Sequence, residues 1–160
     1  MKKIIKKILL SNSLLSAFGA FICISILAYL NLLYDGNLWL IPPFGATMVL
    51  VMAVHESPLA HPKNIILGHT LSALSGVLMY SILGFSIFSI GLAVALAVWV
   101  MMITKSIHPP AGANPIIAIF GAKGFSFVFM PVAIGAIFIV LFALFYNKIL
   151  KRKYPKSWIN

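Results

Sequence analysis

Apolar residues along this chain fall into long uninterrupted runs instead of alternating with polar ones. A run of about 20 apolar residues is long enough to cross the hydrocarbon core of a bilayer as a helix. Four runs have that length: Leu14–Tyr34, Ile65–Gly84, Phe85–Thr104 and Phe125–Phe145. The pattern therefore predicts an all-α integral membrane protein with four full spans.

Two further apolar segments, Leu38–Val54 and Pro109–Ala122, are too short or too broken for ordinary spanning helices. The first contains the sequence PPFGAT and the second contains PPAGAN. Each lies between two long runs, so a long, a short and a long segment occur twice in succession. We interpret this order as an internal repeat with halves at about 14–84 and 85–147, a construction common among transporters.

The short segments leave two topologies open. In the favoured one they dip into the bilayer and return, which gives four transmembrane helices plus two short re-entrant or broken helices that begin at the proline pairs. In the alternative they cross, so that each half crosses three times and the halves are inverted. Both versions keep the two termini on one side. Crossing would also place Lys63 and Lys105 on the cytoplasmic side, in better agreement with the positive-inside rule.

Composition agrees with membrane insertion, since 62% of the 160 residues are hydrophobic and 9% are charged. The net charge of +10 is concentrated in two basic tails, 1–13 and 148–160, which flank the first and last runs. That placement predicts cytoplasmic termini in a cell membrane, with the tails against lipid headgroups and no nucleic-acid partner. The first run continues to Tyr34, which is too long for a signal peptide, so we expect an uncleaved span in a single domain, 1–160.

The two proline pairs suggest a binding function for the short segments. Proline is pre-shaped for the first turn of a helix, so Pro43 and Pro110 are expected to begin helices. Unpaired backbone N–H groups at a helix start, together with the positive end of the helix dipole, attract anions. The small residues that would leave these N–H groups open are Gly45, Ala46, Gly112 and Ala113. Two matched breaks at membrane depth favour a central site over loops that proline merely shapes.

Five polar residues are candidates to complete that site. Thr47 and Asn114 occupy equivalent positions of the two repeats and offer side-chain donors. Lys105 could supply positive potential, or it could extend its amine to the interface. His69 could bind an anion or relay a proton, or it could be a core histidine bonded to a neighbouring serine. His108 could donate a hydrogen bond to the same ion, or it could make a purely structural contact.

Other kinds of chemistry have little support in the sequence. Asp35 and Glu56 are the only carboxylates, and neither belongs to a carboxylate pair or lies within a span. The four histidines lack metal-binding spacing, so we expect no enzyme activity, metal or cofactor. Cation pathways usually carry carboxylates, which leaves anions or neutral solutes. The alternative is a non-transporting scaffold or assembly partner, held by small-residue helix contacts such as Ala73, Gly76 and Gly84. In either case the chain could form a homo-oligomer.

Three ordered motifs, PPFGATMVLVMAV, SPLAHPKNIILGH and SIHPPAGANPIIAI, resemble those of the HPP family of integral membrane proteins. The resemblance covers about residues 14–147 and implies a bundle of four transmembrane helices. Characterised members transport nitrite, so it also implies a transporter or channel for a small inorganic anion. The chain departs from the family pattern at Asn114, where threonine is usual, at His61, where glutamine is common, and at Lys105, where arginine is frequent. These departures put the selectivity in doubt.

Overall fold

Helices account for nearly all of the regular structure in the computed structural model, which describes residues 2–33 and 39–157, with side chains from residue 11 onward. No strand occurs in these two stretches. Three helical stretches are long and apolar enough to cross a membrane: Ser11–Leu33, Pro62–Leu83 and Val128–Ile149. An all-α fold of the predicted kind is therefore confirmed.

Six α-helices and three short helical turns follow one another along the described chain. The α-helices are α1 (Lys2–Leu33), α2 (Pro42–Ala53), α3 (Pro62–Leu83), α4 (Ile87–Ile103), α5 (Asn114–Phe120) and α6 (Ile134–Ile149). The turns are 3-10 helices at Pro58–Ala60 and Pro109–Ala113 and a π-helical turn at Val128–Ala133, which continues into α6. The third predicted span corresponds to α4, whose 17 residues make it shorter than the other predicted spans.

The helical part of each short segment begins at its proline pair. Proline at the first position of α2 loses no hydrogen bond, because the first N–H groups of a helix have no partner within it. The second pair begins the 3-10 turn, and α5 follows directly from it. Pro115 stands near the start of α5, so three prolines within seven residues withhold N–H donors from this segment. The break after α4 is therefore a consequence of missing donors.

Helix α2 runs antiparallel to α1 along much of its length. At one end the backbone N–H of Trp39 donates to the side-chain oxygen of Asn31 over 2.9 Å. At the other end the hydroxyl of Ser16 donates to the carbonyl of Met52 over 2.9 Å. The stretch of α1 between these two contacts is about 22 Å long at 1.5 Å per residue. Residues 39–53 therefore cover about the same distance in the opposite direction.

The chain leaving α2 lies at the same end of the bundle as the chain leaving α6. We call this the tail end, defined by Asn12 and Arg152, and we call the opposite one the far end. The Arg152 guanidinium donates to the Asn12 carbonyl over 3.0 Å, and the Tyr154 hydroxyl donates to the Ala60 carbonyl over 2.9 Å. Helix α3 therefore starts at the tail end, immediately after Ala60.

Helices α3 and α4 form an antiparallel pair. Gly84 connects them with a φ of 65°, a left-handed conformation that glycine adopts without strain. Ser86 then caps α4 through reciprocal hydrogen bonds with Ser89. The chain just beyond the C-terminus of α4 approaches Gly68 so closely that a Cβ there would lie 2.9 Å from the carbonyl oxygen of Ser106. Glycine at this position thus allows α4 to return against the first turns of α3.

Residues 109–120 then run back toward the far end, alongside α3. The Ser72 hydroxyl donates to the Ala111 carbonyl, and one turn further along α3, a Cβ at Gly76 would lie 2.9 Å from the Ala118 Cβ. The ring of Phe120 finally lies 5.4 Å from the ring of Phe85 at the start of α4. This short segment therefore returns to the level at which α4 began.

The helix directions bear on the choice between the dip-and-return arrangement and the crossing one. Both short segments run between the tail end and the far end, and they do so in opposite directions, as the crossing alternative requires. The length criterion assumed the α-helical rise of about 1.5 Å for every residue. The extended residues before α2 and the 3-10 turn before α5 cover more distance per residue than an α-helix does. Within the described residues, each half contributes three segments, and the segments of the second half run in the opposite directions to those of the first.

The last helix joins the two halves. Near its start, Gly135 lies against the Phe44 ring. Near its end, the Tyr146 hydroxyl donates to the Leu15 carbonyl over 2.7 Å, and the Asn147 amide donates to the Val51 carbonyl over 3.2 Å. Helix α6 thereby holds α1 and α2 together at the tail end and carries a shared apolar core.

Candidate functional site

Four polar side chains meet in the interior, where α2, α3 and the break after α4 pack together. They are Thr47, His69, His108 and Asn114, and each is 0% exposed. We call them the polar cluster. Burying polar groups at membrane depth is costly unless they are hydrogen-bonded to one another, and such groups are typical of functional sites in membrane proteins.

Short hydrogen bonds connect the polar cluster. Thr47 Oγ1 lies 2.8 Å from His69 Nε2 and 2.9 Å from His108 Nε2. Asn114 Nδ2 lies 3.0 Å from His69 Nδ1 and 3.0 Å from the His69 carbonyl oxygen. His108 Nδ1 lies 2.8 Å from the Leu59 carbonyl oxygen. The cluster thus draws on both repeat halves and on the 3-10 turn before α3.

The positions of the protons follow from what each atom can donate or accept. The Leu59 carbonyl only accepts, so His108 Nδ1 must carry a proton. The Asn114 amide nitrogen only donates, so His69 Nδ1 must accept. With both rings neutral, His69 donates from Nε2 to Thr47, and Thr47 donates to His108 Nε2. Four hydrogen bonds therefore point in one direction, from Asn114 to Leu59.

A second proton arrangement is available without moving any heavy atom. The carbonyl oxygen of Pro43 lies 3.2 Å from Thr47 Oγ1 and offers its hydroxyl another acceptor. If His108 gains a proton, Thr47 can rotate its hydroxyl to Pro43 and accept hydrogen bonds from both histidines. The same geometry therefore satisfies a neutral and a protonated His108. Thr47 is the side chain that distinguishes the two states.

The surroundings of the two imidazoles are largely apolar. Their ring centroids are 4.9 Å apart, and the Phe44 ring lies 5.4 Å from His69 with its plane nearly perpendicular. The Asn114 side-chain oxygen is buried and accepts no hydrogen bond from the described residues. A proton added to this cluster would thus create a buried positive charge with no carboxylate among its hydrogen-bond partners.

The predicted site residues do not all reach the polar cluster. Thr47, His69, His108 and Asn114 form it, and Pro43 contributes its carbonyl. Pro110, Gly112 and Ala113 lie half-buried in the adjoining 3-10 turn.

The other three predicted residues, Gly45, Ala46 and Lys105, are exposed. Gly45 lines a separate cavity beside α1. A Cβ added at Gly45 or at Gly112 would meet no atom within 4 Å, so neither glycine is required by close packing in this structure.

Two parts of the site were missed by the sequence analysis. The Leu59 carbonyl is a backbone group, and no side-chain pattern marks it. Ser72, whose hydroxyl binds the Ala111 carbonyl, holds the 3-10 turn against α3. It could have been found, because Gly68, Ser72 and Gly76 recur every four residues and form one stripe of small side chains on α3.

Comparison with known proteins places the chain among membrane proteins. Two transmembrane proteins of Dictyostelium discoideum are similar to it. One is 36% identical over 154 residues, which cover 90% of this chain and 54% of that protein. The other is 37% identical over 155 residues, which cover 91% of this chain and 50% of that protein. This chain therefore spans about half the length of these curated relatives.

No solved structure matches the chain. The family profile described as "HPP, transmembrane region" matches residues 5–155, almost the whole sequence. The three motifs that resemble this family contain all four members of the polar cluster. The chain belongs to the HPP transmembrane region family.

Proposed function

We propose that this protein is a membrane transporter or channel for a small inorganic anion, with nitrite as the first candidate. In this proposal the chain crosses the plasma membrane six times as an inverted repeat, with both termini in the cytoplasm. Family membership supports a location in a membrane, the basic tails support cytoplasmic termini, and the directions of the short segments support six crossings. The choice of nitrite rests on the family resemblance alone.

The observation that carries the proposal is the ability of the polar cluster to accommodate a proton on His108. Protonation would place one positive charge among buried groups whose hydrogen-bond partners are uncharged. A buried charge is strongly unfavourable unless an opposite charge approaches it. A small anion that enters beside His108 would supply that charge. Proton uptake and anion binding would then stabilise each other.

The proposed anion site differs from the one predicted from the sequence, in which the anion is held between two helix starts. Gly45 faces the cavity beside α1, whereas Thr47, two residues later, belongs to the polar cluster. We therefore propose that the anion binds at the side of the cluster formed by His108, Asn114 and the adjoining 3-10 turn. Lys105 stands three residues before His108 on an exposed bend and would contribute positive potential along the approach.

Access to the cluster requires a movement, since its four side chains are fully buried. Inverted repeats commonly provide such movement, because rocking of one half against the other opens a central site to each side in turn. Thr47 belongs to the first half and His108 to the second. Separation of the two halves would break the hydrogen bond between Thr47 and His108 and uncover the His108 imidazole.

The proposal is tested by flux into proteoliposomes that contain the purified protein. Nitrite, nitrate, formate and chloride are compared at acidic and neutral external pH, and saturable uptake that increases with acidity is expected for at least one anion. The variant His108→Gln keeps polar atoms but removes the titratable ring, so flux should fall at least tenfold and lose its pH dependence.

His61→Gln is the matched control, because His61 caps α3 outside the polar cluster. Its flux should equal that of the parent. Absence of saturable uptake for all four anions in folded, correctly inserted protein would overturn the transport proposal and favour the scaffold alternative.

A further inference from the structure

A cavity between α1 and α2, separate from the polar cluster, opens near the tail end. Its volume is about 610 Å³. The apolar part of its lining consists of Ala17, Ala20, Ile24, Gly45, Met48 and Val49. Val49 is 62% exposed on the outer face of α2, so this side of the cavity is accessible from the surrounding lipid. Its shape is that of a groove with an apolar wall and a polar mouth.

Arg152 stands at the mouth of this groove. Its Nη1 donates to the Ser16 hydroxyl over 3.0 Å and to the Met52 carbonyl over 3.3 Å. Its Nη2 donates to the Asn12 carbonyl over 3.0 Å. All three acceptors are uncharged, so the half-buried guanidinium is fixed in place without neutralisation by these partners.

Two N–H donors of the Arg152 guanidinium are available to a ligand. The guanidinium carries five N–H groups, and the three hydrogen bonds above leave one on Nη2 and one on Nε for which the described residues supply no acceptor. Two N–H groups on one planar cation suit the oxygen atoms of a phosphate. The mouth of the groove therefore has the charge and the free donors to bind a phosphate ester.

The titratable side chain at 55 and the nearby lysines do not neutralise the positive charge of Arg152. Burial and the Arg152 charge lower the pKa of His55, against the opposing effect of Glu56. His55 is therefore mainly neutral at physiological pH, and Arg152 supplies the charge at the mouth. Four lysines flank Arg152 in the sequence, at positions 148, 151, 153 and 156. Their positive charges would draw anionic headgroups toward the tail end.

We propose that the groove between α1 and α2 is a binding site for a phospholipid with a net negative headgroup. The phosphate binds the free donors of Arg152, and one acyl chain lies along Ala17, Ala20 and Gly45. An apolar wall open to the bilayer and a fixed cation at its end match the two halves of such a molecule. Gly45 provides room for the chain, because a Cβ there meets no atom within 4 Å.

The test measures lipid binding directly and does not depend on any transport assay. Purified protein in a neutral detergent is titrated with phosphatidylglycerol or with phosphatidylcholine of the same acyl chains, and bound lipid is counted by native mass spectrometry alongside the unfolding temperature. The parent should bind one phosphatidylglycerol at least tenfold more tightly than phosphatidylcholine. Glycerol phosphate, which has the headgroup without the chains, should give no comparable shift.

One variant tests the polar mouth of the groove and another tests its apolar wall, and each has its own control. Arg152→Gln removes the fixed cation, and Lys153→Gln removes an exposed cation of the same tail. Gly45→Leu fills the groove, and Gly91→Leu adds the same bulk at an exposed glycine of α4. The preference for phosphatidylglycerol should fall at least tenfold in Arg152→Gln and Gly45→Leu and persist in both controls.

Three results would overturn the proposal. Equal affinity for the two lipids would show that the headgroup charge is not recognised. Equal losses in Lys153→Gln and Arg152→Gln would show diffuse attraction in place of a site. Unchanged binding in folded Gly45→Leu would show that no chain enters the groove. That last variant keeps the test decisive even if Arg152→Gln does not fold after losing its contacts with α1 and α2.

Discussion

Thr47 and Asn114 bind opposite ring nitrogens of the same imidazole. Thr47 Oγ1 lies 2.8 Å from Nε2 of His69, and Asn114 Nδ2 lies 3.0 Å from its Nδ1. The two residues hold the same place in PPFGAT and PPAGAN, so the two repeats meet at one histidine. This pairing sets the tautomer of His69, and Thr47 links that ring to His108.

The hydrogen-bond directions predict opposite tautomers for the two buried histidines. His69 should carry its proton on Nε2 and His108 on Nδ1 when both are neutral. Nitrogen-15 chemical shifts of histidine-labelled protein at neutral pH distinguish the tautomers, and His69→Gln and His108→Gln assign the signals. Finding the same tautomer in both rings would contradict the direction assigned to the chain of hydrogen bonds.

Removing the Thr47 hydroxyl should destabilise the bundle. Thr47→Val keeps the shape of the side chain but leaves two buried imidazole nitrogens without a partner, at a cost of about 1–3 kcal/mol. Thr70→Val is a matched control, because the Thr70 hydroxyl bonds only to the Ile66 carbonyl of its own helix. Thermal unfolding in detergent should show a clear decrease for Thr47→Val and a small change for the control. Equal decreases would argue against a special role for the cluster.

Contact between α3 and α5 should tolerate no side chain at Gly76. A Cβ there would lie 2.9 Å from the Ala118 Cβ and closer still to the Pro115 backbone, so Gly76→Ala should cost about 1–3 kcal/mol through overpacking. Gly91→Ala adds the same methyl group in open space on α4 and should be neutral or slightly stabilising, because alanine favours helix. The comparison uses urea or thermal unfolding of both proteins. A stable Gly76→Ala protein would show that α5 lies further from α3.

The direction of the short segments predicts which residues share a side of the membrane. Single cysteines at Lys63 and Lys153, in a Cys23→Ser background, should both be protected from an impermeant reagent in intact cells. A cysteine at Ser126, in the connection between α5 and α6, should be labelled. Labelling at Lys63 with protection at Lys153 would restore the dip-and-return topology. Labelling at Lys153 would place the C-terminal tail outside.

Apolar run length was sufficient to predict the helical fold, and the proline pairs indicated where the two short segments become helical. The repeat identified Thr47 and Asn114 as equivalent positions, but only the structure brings both to one histidine. Run length alone does not give the reach of the short segments, since extended and 3-10 residues cover more distance per residue than α-helical ones. The contacts between residues far apart in the chain could not be predicted either. His108 binds the Leu59 carbonyl across 49 positions, and Arg152 binds Ser16 across 136. Such contacts depend on how the helices pack, which local sequence does not specify.

Neither end of the hydrogen-bond chain can pass a proton onward. Relay along such a chain needs a terminal group that releases a proton and another that takes one up. At physiological pH the Asn114 amide does not release its proton, and the Leu59 carbonyl does not retain one. A proton gained by His108 is therefore held as a stored charge until movement of the two halves uncovers the imidazole again. The bundle can thus place two histidines inside the bilayer without opening a leak that would dissipate the proton gradient of the cell.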